Sequence, residues 1–171
     1  MKYPLLNFIL FQTGWLLCVS QAGKGLFWVG PVTAALILPL HLRLCPNRAR
    51  EVRFLSAACL LGMTADSFES ASGLFSFKGG AWLGCIAPLW MAALWLLFAS
   101  LFNSSLSWLK SYPLAAIFGA VGGPLTYYSG AKLGAIEIQG DPAASLGKIA
   151  LAWALIMPAL LWLREKTGRS S

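Results

Sequence analysis

The sequence predicts an all-α polytopic membrane protein: one domain over residues 1–171, built as a bundle of six transmembrane helices with both termini in the cytoplasm. Three observations predict it. The 171 residues are 58% hydrophobic and only 11% charged, too little polar surface to close a water-soluble globule of this size. Apolar windows of about twenty residues, the length that crosses a hydrocarbon layer ~30 Å thick, recur at 4–21, 26–43, 53–73, 83–102, 113–131 and 144–163. The basic residues between them are shared unequally. Lys2, Arg43, Arg48, Arg50, Arg53, Lys110, Arg164, Lys166 and Arg169 fall at one set of ends, against Lys24, Lys78, Lys132 and Lys148 at the other. By the positive-inside rule the first set is cytoplasmic, and an even number of spans agrees with it. The same clustering explains the net charge of +7 as a topology signal and argues against a nucleic-acid surface. All connections are too short for a separate soluble domain.

The first span, PLLNFILFQTGWLLCVSQ, follows Lys2 directly, and no small-residue cleavage site follows it, so it reads as a mature span. Its Asn7 and Gln12 carry amides that lipid cannot satisfy, so both are expected to point into the bundle. The second span holds Gly30, Pro31 and Pro39 and ends in His41 and Arg43, where His41 reads as an interfacial residue. Twelve residues of the third, FLSAACLLGMTA, precede Asp66 and rise only ~18 Å. Asp66 and Glu69, one turn apart, therefore lie within the membrane or, if the helix is shifted, at its outer face. The fourth span, LGCIAPLWMAALWLLFASLF, has no charge and reads as a packing and lipid-facing helix.

The fifth span, PLAAIFGAVGGPLTYYSGAKLGA, reads as the centre of the bundle. Ala115, Gly119 and Gly123 recur every fourth residue and leave one face of bare backbone for a neighbouring helix. Pro124 removes a backbone donor and crowds the carbonyl of Ala120. Such a helix is expected to pack on both sides and to avoid lipid. In the hairpin that follows, Asp141 and Pro142 supply a cap and a first position for the sixth helix.

On a common depth scale Asp66 and Tyr127 both stand ~20 Å from the cytoplasmic ends of their helices. Glu69 and Lys132 come next. The expected polar cluster is therefore Asp66, Glu69, Tyr127, Tyr128, Lys132 and Gln12, roofed by the two outer hairpins and floored by the packing residues Ala115, Gly119, Gly123 and Pro124.

No catalytic motif is present: there is no H-E-x-x-H, G-x-S-x-G or Walker A sequence and no histidine cluster. Cys18, Cys45, Cys59 and Cys85 form no C-x-x-C pair. The expectation is therefore no disulfide framework, metal site or cofactor.

NFILFQTGW, the Asp66 region, PLWMAALWLLFASLFNSSLSWL and GAVGGPLTYYSGAKLGA resemble a family of small bacterial inner-membrane proteins known only as a domain of unknown function. The resemblance implies a lipid-linked role, since such proteins are associated with genes for lipid-modifying enzymes; it carries no catalytic residues. Three readings follow. The first is an accessory or scaffold protein in membrane-lipid modification or envelope stress, with membrane lipids and a lipid-modifying enzyme as partners. The second is a dimeric transporter or flippase-like protein using the intramembrane carboxylate, and the third a membrane-embedded lipid-modifying enzyme.

Overall fold

A computed structural model describes residues 4–169, and the side chains of residues 4–168; Lys2 and the side chain of Arg169 lie outside it. Six helices account for most of the described chain: α1 (Pro4–Gly23), α2 (Val29–Leu44), α3 (Arg48–Ala71), α4 (Leu89–Ala99), α5 (Tyr112–Lys132) and α6 (Pro142–Arg169). Two three-residue strands join them, β1 (Phe75–Phe77) after α3 and β2 (Ile136–Ile138) after α5. Helices α1 and α6 are long and apolar enough to cross a membrane.

The helices alternate in direction. At one end, side chains from the start of α1, the end of α2, the start of α3 and the turns after α4 meet around Asn7 and Glu51. Arg164 near the end of α6 is buried there too, donating to the carbonyls of Phe102 (3.0 Å) and Leu109 (2.8 Å). This is the end that carries Arg43, Arg48, Arg50 and Arg53, and it is called the basic end below. At the opposite end β1 and β2 pair antiparallel, with Phe75 opposite Ile138 and Phe77 opposite Ile136.

Local chemistry explains how α3 and α5 turn into these strands. Each ends in the same glycine-terminated cap. In α3, Leu74 N–H donates to Glu69 C=O and Gly73 N–H to Ser70 C=O, with Gly73 at φ 77°. In α5, Ala135 N–H donates to Gly130 C=O and Gly134 N–H to Ala131 C=O, with Gly134 at φ 74°. Only glycine takes this left-handed turn without strain. The starts are capped as well: Asn47 accepts from Arg50 N–H (2.9 Å) and Asp141 from Ala144 N–H (2.8 Å).

Two expectations from the sequence are corrected. The fourth apolar window, 83–102, is helical only from Leu89 to Ala99; Trp82 to Pro88 form a short bridged turn and residues after Ala99 a run of turns. This short helix is also the core of the molecule, packed by α1, α2 and α3, with Trp90, Trp95 and Leu97 buried. Its lack of charge reflects burial in protein. Helix α5, conversely, does not pack on both sides. Its Ala115, Gly119 and Gly123 face lies against α6, while Ile117, Val121 and Leu125 on the other side are exposed.

Candidate functional site

The packing surfaces of three helices determine where the polar groups go. Gly62 on α3 leaves the space that the Trp95 indole fills, since any Cβ there would fall among the ring atoms. One turn further along α3, Asp66 accepts a 2.6 Å hydrogen bond from Trp95 Nε1. On α5, Gly119 and Gly123 lie against the Trp153 backbone and ring, and Trp153 stacks on Trp95 with centroids 5.3 Å apart at 13°. One turn beyond Gly123, the Tyr127 hydroxyl donates to the other oxygen of Asp66. Asp66 is 1% exposed, and both of its oxygens are held by aromatic donors.

Glu69 lies one turn further along α3, beside Asp66 and Tyr127. It is 4% exposed, and neither carboxyl oxygen makes a hydrogen bond among the described residues. Phe75 of β1 closes the cluster above, its ring 4.9 Å from that of Tyr127.

On the other side of Trp95 and Tyr127 is a cavity of about 220 Å³. It lies where α1 and α5 diverge, walled by Phe11, Trp15, Phe98, Phe118 and Trp153. Tyr127 and Trp95 therefore line the cavity and turn their polar atoms to Asp66. At the rim, Gln12, Thr126 and Ser129 line a second, shallower depression that shares Phe11, Trp15 and Thr126 with the first. The hydroxyls of Thr126 and Ser129 donate back to their own helix, to Gly122 and Leu125 C=O.

Asp66, Glu69 and Tyr127 thus come together. Tyr128, Lys132 and Gln12 do not join them. All three are exposed, and the Lys132 ammonium lies over the Tyr128 ring, 5.3 Å from its centroid. Ala115, Gly119 and Gly123 face α6, and α5 runs through Pro124 as one helix. The sequence reading did not place Trp95 in the cluster.

Residues 4–159 match the family described as a protein of unknown function, DUF2878. The chain belongs to the DUF2878 family. No curated protein and no solved structure matches it.

The structure of this DUF2878 protein also holds a second buried polar centre, at the basic end. His41 is 2% exposed, covered by protein at this end, and Glu51 is 3% exposed. His41 Nε2 lies 2.9 Å from Glu51 Oε1 and 3.5 Å from Cys45 Sγ. Asn103 donates to Glu51 Oε2 (2.8 Å), and the Asn7 amide stands 3.4 Å from His41 Nδ1. Burial, reinforced by the neighbouring Glu51 charge, pushes the Cys45 thiol up to about 11. A nucleophilic cysteine triad does not fit, because thiol and carboxylate share one ring nitrogen instead of taking one each. The signal for this centre was the spacing of His41 and Cys45, one helical turn apart at the end of an apolar run.

Proposed function

We propose that this protein is a multi-pass protein of the bacterial inner membrane whose cleft between α1 and α5 receives an acyl chain of a membrane lipid, in an accessory role in lipid modification. The surface supports a lipid environment. Leu36 (73% exposed), Leu60 (70%), Leu151 (71%) and Leu155 (75%) are among many large apolar side chains turned outward on α2, α3 and α6. Soluble monomers rarely expose apolar surface so extensively. In lipid such residues meet their own kind.

The observation that carries the reading is the cleft itself. An apolar cavity of about 150 Å³ stays dry and takes up small apolar guests, and this one, at about 220 Å³, is larger, with Gln12, Thr126 and Ser129 at its rim. Its aromatic walls offer dispersion contacts along a chain and no charge to reject one. The test follows from Gly122, which lines the cavity and whose added Cβ would meet nothing within 4 Å. In nanodiscs containing a phospholipid with a diazirine in mid-chain, light should cross-link the lipid to Phe11, Trp15 or Phe118. Gly122→Leu should reduce that labelling several-fold while labelling of the Leu151–Leu155 surface stays constant. Equal loss at both places, or none at the cleft, overturns the assignment.

A second reading, transport or headgroup flipping, is favoured by one feature: Glu69, a buried carboxyl whose oxygens make no hydrogen bond among the described residues. Ionisable groups held in membrane interiors commonly serve ion or proton movement. Proteoliposome flux of protons or labelled lipid that is lost in Glu69→Gln would support it; flux unchanged in Glu69→Gln and Asp66→Asn would remove it.

A further inference from the structure

We propose that His41, Cys45 and Glu51 form a mononuclear site for a divalent transition metal of the zinc class at the basic end of the bundle. The donor atoms of the three residues lie within 4.8 Å of one another, and all three residues are buried. Bond lengths of about 2.0–2.2 Å to nitrogen and oxygen and about 2.3 Å to sulfur place tetrahedral ligand atoms ~3.4–3.6 Å apart. The 3.5 Å between Cys45 Sγ and His41 Nε2 already has this value, the 2.9 Å between Nε2 and Glu51 Oε1 needs to open by ~0.5 Å, and the Sγ to Oε1 distance, within 4.8 Å, needs to close by up to ~1.2 Å.

Convergence is the second argument. A histidine that merely anchors a carboxylate needs one partner on that nitrogen. Here sulfur and oxygen both face Nε2, which is how ligands stand around a shared ion. Charge is the third: thiolate and carboxylate together carry −2, so a divalent ion yields a neutral unit, the form that burial tolerates. Thiolate with imidazole and carboxylate also selects zinc over magnesium or calcium, which prefer all-oxygen sets.

The surroundings hold the ligands as an outer shell does. Asn103 fixes the free lobe of Glu51. Asn7 faces Nδ1 of His41 and is itself held by Ser105 (2.7 Å) and Ser100 (3.2 Å). When Nε2 takes a metal, Nδ1 carries the ring proton, and a turn of the Asn7 amide offers it an oxygen. Metal uptake would then release the Cys45 proton to solvent, while the ring proton passes from Nε2 to Nδ1. Three protein ligands leave a fourth position, and Pro46 and Asn47, next to Cys45 in the chain, are exposed.

The test uses the full chain in nanodiscs, with any polyhistidine tag removed and cobalt(II) as the probe. One cobalt per chain should bind with a sulfur-to-metal charge-transfer band, and zinc should displace it. The band should persist when Cys18, Cys59 and Cys85 are all replaced by serine and vanish in Cys45→Ser. Asn103→Ala, which touches no metal, should weaken binding by about 10–100-fold. Wild-type protein that takes up neither cobalt nor zinc overturns the proposal and leaves a buried ion pair between His41 and Glu51. A band that survives Cys45→Ser overturns it equally, by placing the metal elsewhere.

Discussion

At the scale of single residues, the two carboxyls on α3 are set apart by their partners. Asp66 accepts from Trp95 and Tyr127, so Tyr127→Phe removes one donor and leaves a buried oxygen unpaired. Thermal unfolding in detergent should show a loss of about 1–3 kcal/mol. Asp66→Asn should cost less, because its amide can donate to the tyrosine oxygen while its carbonyl still accepts from the indole. Glu69 should behave in the opposite sense. With no hydrogen bond to lose among the described residues, Glu69→Gln should leave stability unchanged or raise it, and a drop of more than 1 kcal/mol would mean that the carboxyl has a partner of its own. Asp66, Glu69 and Tyr127 were legible in the sequence because a carboxyl inside an apolar run, level with a tyrosine, must find company. Tyr128 and Lys132 share their depth and not their direction, standing about 100° and 140° round the helix from Tyr127. Depth is a property of sequence position, whereas facing depends on the rotation of the whole helix, which its neighbours set.

At the scale of elements, one helix carries two contrasting glycines. An added Cβ at Gly119 would run into the carbonyl oxygen of Trp153, a backbone atom that cannot move aside. At Gly122, three residues on, it would meet nothing. Gly119→Ala should therefore force α5 and α6 apart and lower the midpoint of thermal unfolding, while Gly122→Ala should leave it equal or raise it, since alanine gains up to ~1 kcal/mol in helix propensity. Similar effects from both would show that the α5–α6 contact is not backbone to backbone. The four-residue spacing of Ala115, Gly119 and Gly123 made the contact face legible, although not its occupant. Helix α4 was misread for a related reason: an uncharged apolar run looks the same whether lipid or protein surrounds it. The matching glycine caps of α3 and α5 were present as Ser72-Gly73-Leu74 and Leu133-Gly134-Ala135. Their meaning depends on strand pairing between segments some sixty residues apart, which no local pattern records.

At the scale of the whole molecule, the two ends differ in chemistry and can be told apart by their thiols. Arg43, Arg48, Arg50 and Arg53 gather where the polar centre around His41 lies, while Lys24, Lys78 and Lys132 stand at the end closed by the strand pair. The basic end should face the cytoplasm. The cysteines report on this without any engineering. Cys85 is exposed in the connection between β1 and α4, and Cys45 is buried at the basic end. A thiol reagent that cannot cross membranes should label intact cells of the host, once their outer membrane is permeabilised, at Cys85 alone, and Cys85→Ser should abolish the signal. Cys45 should react only when the cytoplasmic face is opened, and slowly, because its side chain is covered. Bound zinc should slow that reaction further by occupying the sulfur, so chelation before labelling should accelerate modification of Cys45 and leave Cys85 unaffected. Labelling of Cys45 from outside would invert the bundle and place the proposed metal centre in the periplasm. Labelling of both thiols from one face would put the ends of α2 and β1 on the same side of the bilayer, which an alternating six-helix bundle cannot accommodate.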